Sequence, residues 1–180
     1  DALQILDGGS IPTSEKLEAS ILRIELLERL GQYPQSRFLA ERALRARSLQ
    51  PKFQSDCHFA LGRIDVDEGK IDSGLDRFRL ALDLAVKAND ATRGCWVRLR
   101  LMVVNCGMVH PQGASQLINE ARKEVLRLGN ALASAALHIF VGEIAIKHGA
   151  FRTARRHTLL GLRLLEVTPN FWLTALAENN

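Results

Sequence analysis

Five histidines, three cysteines and two dense groups of charge are the side chains in this 180-residue sequence whose types and spacing could do chemistry. Cys57 and His58 stand side by side, a pairing that a thiol nucleophile or a metal site could use. Successive residues on a helix point about 100° apart, so the two cannot readily share one metal, and packing is the simpler reading. Asp65, Asp67, Glu68, Asp72 and Asp76 form an acidic cluster, but they match no calcium-loop pattern. Gly69 reads better as a turn residue and the carboxylates as a solvated helix end, with Asp72 favoured near the positive N-terminus of the next helix. His110 and His148 lie beside turns and read as surface residues, and Lys147 with His148 suits a helix C-terminus. Cys57, Cys95 and Cys106 are odd in number and sit inside helical patterns, which argues against a disulfide framework and for a reducing, cytoplasmic compartment. The sequence contains no P-loop, GxSxG, HExxH or CxxC motif. With no nucleophile, base or metal set at a useful spacing, the expectation is a protein that is not an enzyme and uses no cofactor or metal.

The elements that must position these residues read as helices. Hydrophobic residues make up 47% and charged residues 24% of the chain, a balance that excludes disorder, and the dominance of Leu, Ala, Arg and Glu favours helix over strand. No apolar run approaches the ~20 residues of a membrane-spanning helix. A formal charge of +4 permits an acidic partner without demanding one. The chain opens at Asp1, with neither an initiator Met nor a leader, and reads as a piece of a longer protein.

Periodicity organises the helices. Gly31, Gly69, Gly107 and Gly149 each follow one apolar-periodic stretch and precede another, at intervals of 38, 38 and 42 residues. Small residues in the following stretch recur at Ala43, Ala81, Ala121 and Gly161, at intervals of 38, 40 and 40. Two markers with one period predict four helical hairpins, over about 13–50, 51–88, 89–128 and 129–168, with 169–180 starting a further helix and 1–7 ending an earlier one. The helices are expected near 14–30, 34–47, 55–68, 71–87, 91–106, 111–128, 131–148 and 151–166. Pro34 and Pro111 suit first turns, and Asn130 suits an N-cap.

The second unit carries His58-x2-Leu61-Gly62, then Gly69-Lys70-Ile71, then Gly74-x3-Phe78-x2-Ala81-Leu82. The fourth repeats this as His138-x2-Val141-Gly142, Gly149-Ala150-Phe151 and Ala154-x3-Thr158-x2-Gly161. The first keeps Gly31-Gln32-Tyr33 and Ser36-x3-Ala40-x2-Ala43, and the third keeps Trp96-x2-Leu99 but has Arg100 at the small-residue position. This pattern resembles the tetratricopeptide repeat over nearly the whole chain. The resemblance implies an all-α fold, a single domain of antiparallel helix hairpins stacked into a right-handed superhelix (an α-solenoid). It further implies that Gly62 and Gly142 let the helices of a hairpin touch, that Ala81 and Gly161 do so against the next unit, and that Arg100 marks altered packing. His138 takes the family's Trp position and reads as a packed, hydrogen-bonded histidine. The units exceed the family's ~34 residues by about one helical turn. Longer units of this kind resemble those of bacterial signalling proteins, including the sensor segments of MalT-like and other LuxR-type transcription regulators.

In such an array the first helices line a concave groove. The family's groove positions fall on three rows: Ile21, Phe59, Val97 and Ile139; then Glu25, Arg63, Leu101 and Glu143; then Glu28–Arg29, Val66–Asp67, Val104–Asn105 and Ile146–Lys147. Candidate ligand-binding residues are therefore Phe59, Arg63, Asp67, Arg98, Leu101, Asn105, Glu143 and Lys147. This mixed surface suits a peptide or partner domain that buries apolar anchors and pairs charges, making the segment a protein–protein interaction scaffold within a larger regulatory protein. The alternative is an effector-sensing segment of a transcription regulator, its pocket drawn from Arg63, Arg98, Asn105 and Glu143. The repeat ends, near Phe171 and Trp172, suggest self-association. The second helices carry Arg37, Arg42, Arg45, Arg47, Arg77, Arg79, Arg122, Lys123, Arg127, Arg152, Arg155, Arg156 and Arg163. The scarcity of stacking aromatics among them argues against nucleic acid and for a solvated outer face.

Overall fold

The computed structural model describes residues 14–46, 49–109 and 113–179. The segment 1–7, Arg47, His110 and Pro111 lie outside the described residues. Within them the chain is all-helical: α1 (Ser14–Arg29), α2 (Tyr33–Leu44), α3 (Pro51–Asp67), α4 (Ile71–Lys87), α5 (Ala91–Val104), α6 (Ala114–Leu128), α7 (Ala131–Lys147), α8 (Phe151–Val167) and α9 (Phe171–Glu178). A π-helical turn, Asn105–Val109, extends α5. Among the described residues no helix is long and apolar enough to cross a membrane.

Glycine ends three of these helices in one way. Gly31, Gly69 and Gly149 have φ of 72°, 79° and 70°, a left-handed conformation that only glycine adopts without strain. The following amide turns back to a carbonyl five residues earlier: Gln32 to Leu27 at 2.9 Å, Lys70 to Asp65 at 2.7 Å and Ala150 to Ala145 at 2.8 Å. Each closes the last helical turn and satisfies carbonyls that would otherwise lack donors. Gly107 does not share this role. It sits in the π-helical turn, and the positive φ in this region belongs to Gly113 instead. The third unit therefore departs from the glycine register read in the sequence. Side chains open other helices: Asn130 accepts from the Ala133 amide at 3.1 Å, and Asn170 from Leu173 at 3.0 Å. Pro34 lies in the first turn of α2, and Pro51 opens α3.

The chain divides into two compact units, residues 1–94 and 95–180. In the first, α3 and α4 form a hairpin, and α1 and α2 pack on one another and on α3. A Cβ built on Gly62 would lie 2.7 Å from the Phe78 ring, and one on Gly74 would lie 2.9 Å from the Gly62 carbonyl oxygen. The absence of side chains lets the two backbones close on one another, and Phe78 is buried in the gap, worth about 1.5–3 kcal/mol. In the second unit α7 and α8 repeat the arrangement. A Cβ built on Gly142 would lie 2.6 Å from Thr158 Oγ1 and 3.4 Å from the Ala154 carbonyl oxygen. Gly161 meets Ile139 and the Ala135 carbonyl, and Ser55 donates to the Ala81 carbonyl at 2.7 Å. These Ala81 and Gly161 contacts are with the partner helix of their own hairpin, whereas the resemblance had assigned them to the next unit. Arg100 meets its altered surroundings by laying its guanidinium over the Phe140 and Trp172 rings, at 5.2 and 5.3 Å.

Candidate functional site

The candidate residues of the first unit gather around Phe59. Its ring, 4% exposed, lies beneath two guanidiniums, with Arg63 at 5.1 Å and Arg93 at 5.0 Å from its centre. Arg63 pairs with Glu28 of α1, and both are buried. Arg93 reaches Glu25 of α1 at 2.9 Å and Asp56 of α3 at 2.6 Å. Burial pushes the Asp56 carboxyl above its ordinary range, against the pull of Arg93. Ile21, Val97 and Ile139 are also buried, so the whole apolar row packs inside the units. Phe59 and Arg63 thus support the surface instead of presenting one. Asp67 is exposed and accepts from the Tyr33 hydroxyl at 3.0 Å.

The acidic cluster divides into two kinds. Asp65 is 1% exposed and is not part of a solvated helix end. It accepts from Arg37 of α2 at 2.8 Å, and from Ser73 and Arg77 of α4 at 2.7 and 2.8 Å. Burial alone would raise its pKa, but these bonds outweigh it and hold the carboxyl below its usual range. One carboxylate thereby ties α2, α3 and α4. Arg37 and Arg77 belong to this knot, which removes them from the free outer face expected of the second helices. Glu68 takes Lys70 and Arg37, both from near the surface. Asp76 pairs in the open with Arg79.

In the second unit, Glu143 and Lys147 of α7 form an ion pair at 3.0 Å. The Lys147 side chain crosses the π-helical turn where Gly107 leaves room, since a Cβ there would meet Lys147 Cδ at 3.1 Å and Nζ at 3.2 Å. His148 Nε2 donates to the Cys106 carbonyl in the same turn at 2.8 Å. Asn105 Nδ2 donates to the Leu101 carbonyl at 2.8 Å. The turn thus brings Asn105, Gly107, Lys147 and His148 to one end of α7, with Glu143 one helical turn away. His148 is held by this bond and is not a free surface residue. Arg98 goes elsewhere, to Glu124 of α6 at 3.3 Å. No hydrogen bond or ion pair among the described residues joins Arg98, Asn105 and Glu143 to one another. The π-helical turn has no counterpart in the sequence pattern beyond the 42-residue interval from Gly107 to Gly149.

The remaining reactive groups are enclosed. All three cysteines are buried free thiols, and burial pushes Cys57 up to about 12 and Cys95 up to about 11. They hold their protons at neutral pH, which is the opposite of nucleophile activation. His138 of α7 and His157 of α8 meet Nδ1 to Nδ1 at 3.0 Å, so the hydrogen bond expected of His138 is present. His58 stands in the place of His138 two hairpins earlier, and burial followed by the charge of Arg77 lowers its pKa. No group of three or more His, Cys, Asp or Glu that could hold a metal is found among the described residues.

Family models, curated proteins and solved structures were compared with the chain, and none matches.

Proposed function

We propose that the chain is a tetratricopeptide-like array of hairpins stacked as a right-handed superhelix, and that it binds a peptide or partner-protein segment without turnover. The observation that carries this reading is one hairpin built twice. Gly62 facing Phe78 and Gly142 facing Thr158 stand 80 residues apart, each pair followed or flanked by the same left-handed glycine terminator. Repeated hairpins of this design serve as interaction surfaces in the family the sequence resembles. The reading centres the binding surface on Leu101, Asn105, Glu143 and Lys147, and its support is the Glu143–Lys147 pair beside the π-helical turn that Asn105 opens. π-Helical turns within helices are frequent at functional sites because they redirect side chains out of the regular register. Buried, protonated thiols and carboxylates locked in ion pairs favour binding over catalysis.

The test is selection of displayed peptides on the purified chain. Peptides whose affinity falls tenfold or more on the charge swap Glu143→Lys/Lys147→Glu support the reading. Failure to select any peptide, together with a rise in thermal stability from a small metabolite, would overturn it in favour of an effector-sensing segment.

A further inference from the structure

His138 and His157 share a contact that packing does not require. Their Nδ1 atoms are 3.0 Å apart and their ring centres 5.1 Å apart, at an interplanar angle of 38°. With both rings neutral, one Nδ1 must carry a proton and the other accept it. The donating ring then has a bare Nε2, and the accepting ring an Nε2–H. One further proton keeps the Nδ1–H···Nδ1 bond and gives both rings an Nε2–H. A single protonation therefore converts the pair from one outward donor and one outward acceptor into two outward donors with a positive charge.

The surroundings match that second state. α7 packs against both α6 and α8. Arg122 comes from α6 and Arg156 from α8, and their charges act on both rings. Both guanidiniums are exposed, and neither is held in an ion pair by a described residue. The carboxylates of α6 and α7 are engaged elsewhere: Glu124 with Arg98 and Arg127, Glu143 with Lys147, and Glu120 with Gln116; Glu166 of α8 lies nine residues beyond His157 along the helix. Among the described residues no ion pair or hydrogen bond joins a carboxylate to either imidazole, whose hydrogen-bond partner is the other ring. A metal cation is disfavoured here, because two guanidiniums oppose it and the described residues offer no third ligand. Four nitrogen-bearing side chains from three helices, with no counter-charge, suit a tetrahedral oxyanion.

We propose that Arg122, His138, Arg156 and His157 form a binding site for a phosphate-class oxyanion, occupied when the histidine pair takes up one proton. Arg122 and Arg156 grip the anion's oxygens from opposite helices, and the two Nε2–H groups donate from between them. The anion in turn stabilises the imidazolium that burial and the two arginines oppose. The site lies on α6, α7 and α8 and is independent of the peptide surface on α5 and α7.

The experiment uses the full chain and sulfate, an anion whose charge is constant between about pH 5 and 8 and so reports only the protein's protonation. Imidazole titrations are followed by nitrogen-edited NMR in sulfate and in chloride at equal ionic strength. Sulfate is expected to raise the midpoints of His138 and His157 while leaving that of His58 in place. Its affinity, by calorimetry, is expected to fall up to about tenfold per pH unit above the free pair's midpoint, the mark of one linked proton. Arg122→Gln and Arg156→Gln, made singly and checked for unchanged helix content, are each expected to weaken sulfate binding at least fivefold. Equal midpoints in sulfate and chloride would overturn the proposal, as would undiminished binding in both folded variants. Inorganic phosphate and glycerol phosphate, compared at one pH, identify the source. Tighter binding of the ester assigns a phosphorylated small molecule, and tighter binding of phosphate assigns the free ion.

Discussion

Replacing Asp65 with Asn keeps the shape of the side chain and removes its charge, at a position whose side chain is 2% exposed. The carboxylate receives three donors, from Arg37, Ser73 and Arg77, at 2.7–2.8 Å. An amide has one accepting oxygen, so at least one donor would face an NH2 group across a hydrogen-bond distance. Charge-assisted bonds contribute about 1.5–3 kcal/mol each, and breaking one partner of a buried pair costs about 3–5 kcal/mol. Arg37 and Arg77 keep 23% and 28% of their side chains in water, which screens part of that loss. A destabilisation of about 2–3 kcal/mol is expected. The assay is urea denaturation followed by far-ultraviolet circular dichroism, because both tryptophans, Trp96 and Trp172, lie in the other unit. With a slope of about 2 kcal/mol/M, the midpoint of the first unit should fall by about 1–1.5 M at constant slope. The pH dependence has a definite sign. The folded carboxyl is held below its unfolded value of about 3.9, so its stabilisation is complete above that value and is lost as pH falls through the folded one. Wild type and Asp65→Asn should therefore converge in stability below about pH 4. A loss under about 0.5 kcal/mol at pH 7, the scale of an exposed pair such as Asp76–Arg79, would refute the knot joining α2, α3 and α4.

Three further outcomes follow from local geometry. Gly74→Ala places a methyl 2.5 Å from Val66 Cγ2 and 2.9 Å from the Gly62 carbonyl. Overpacking of about 1–3 kcal/mol exceeds the helix gain of about 1 kcal/mol, so net destabilisation of about 1 kcal/mol is expected in chemical denaturation. Thr158 Oγ1 is buried without a hydrogen-bond partner, so Thr158→Val should stabilise the second unit by about 1 kcal/mol, seen as a higher melting temperature. Cys57 and Cys95, buried and protonated, should resist a thiol-specific reagent at pH 8 in the native chain and react fully in urea.

The hairpins were legible because close helix contact requires small residues at fixed places. The spacing of Ala81 and Gly161 reports that requirement, and the period of Gly31, Gly69 and Gly149 reports the left-handed helix ends between them. α4 was read at its observed bounds of Ile71–Lys87, and most other helices came within a few residues. α5 was not fully read, since a π-helical turn depends on how Lys147 and His148 pack over Gly107, some 40 residues away. Asp65 was misread because a carboxylate near a helix end looks solvated until its partners are known, and those lie 28, 8 and 12 residues off. The His138–His157 contact did leave a trace. Subtracting two units gives His58 and Arg77, a pair of basic side chains at the same two places in the better-matched hairpin. Of the candidate groove residues, Phe59 and Arg63 proved buried because neighbouring helices supply Glu28 and Arg93, which no pattern on α3 alone reveals.

The most direct test of the binding role is an amide chemical-shift map of the full chain titrated with a selected peptide. Saturable shifts concentrated at Leu101, Asn105, Glu143 and Lys147 are expected, weakening in the Glu143→Lys/Lys147→Glu variant. Shifts confined to α6 and α8, or none at saturating peptide, would contradict it.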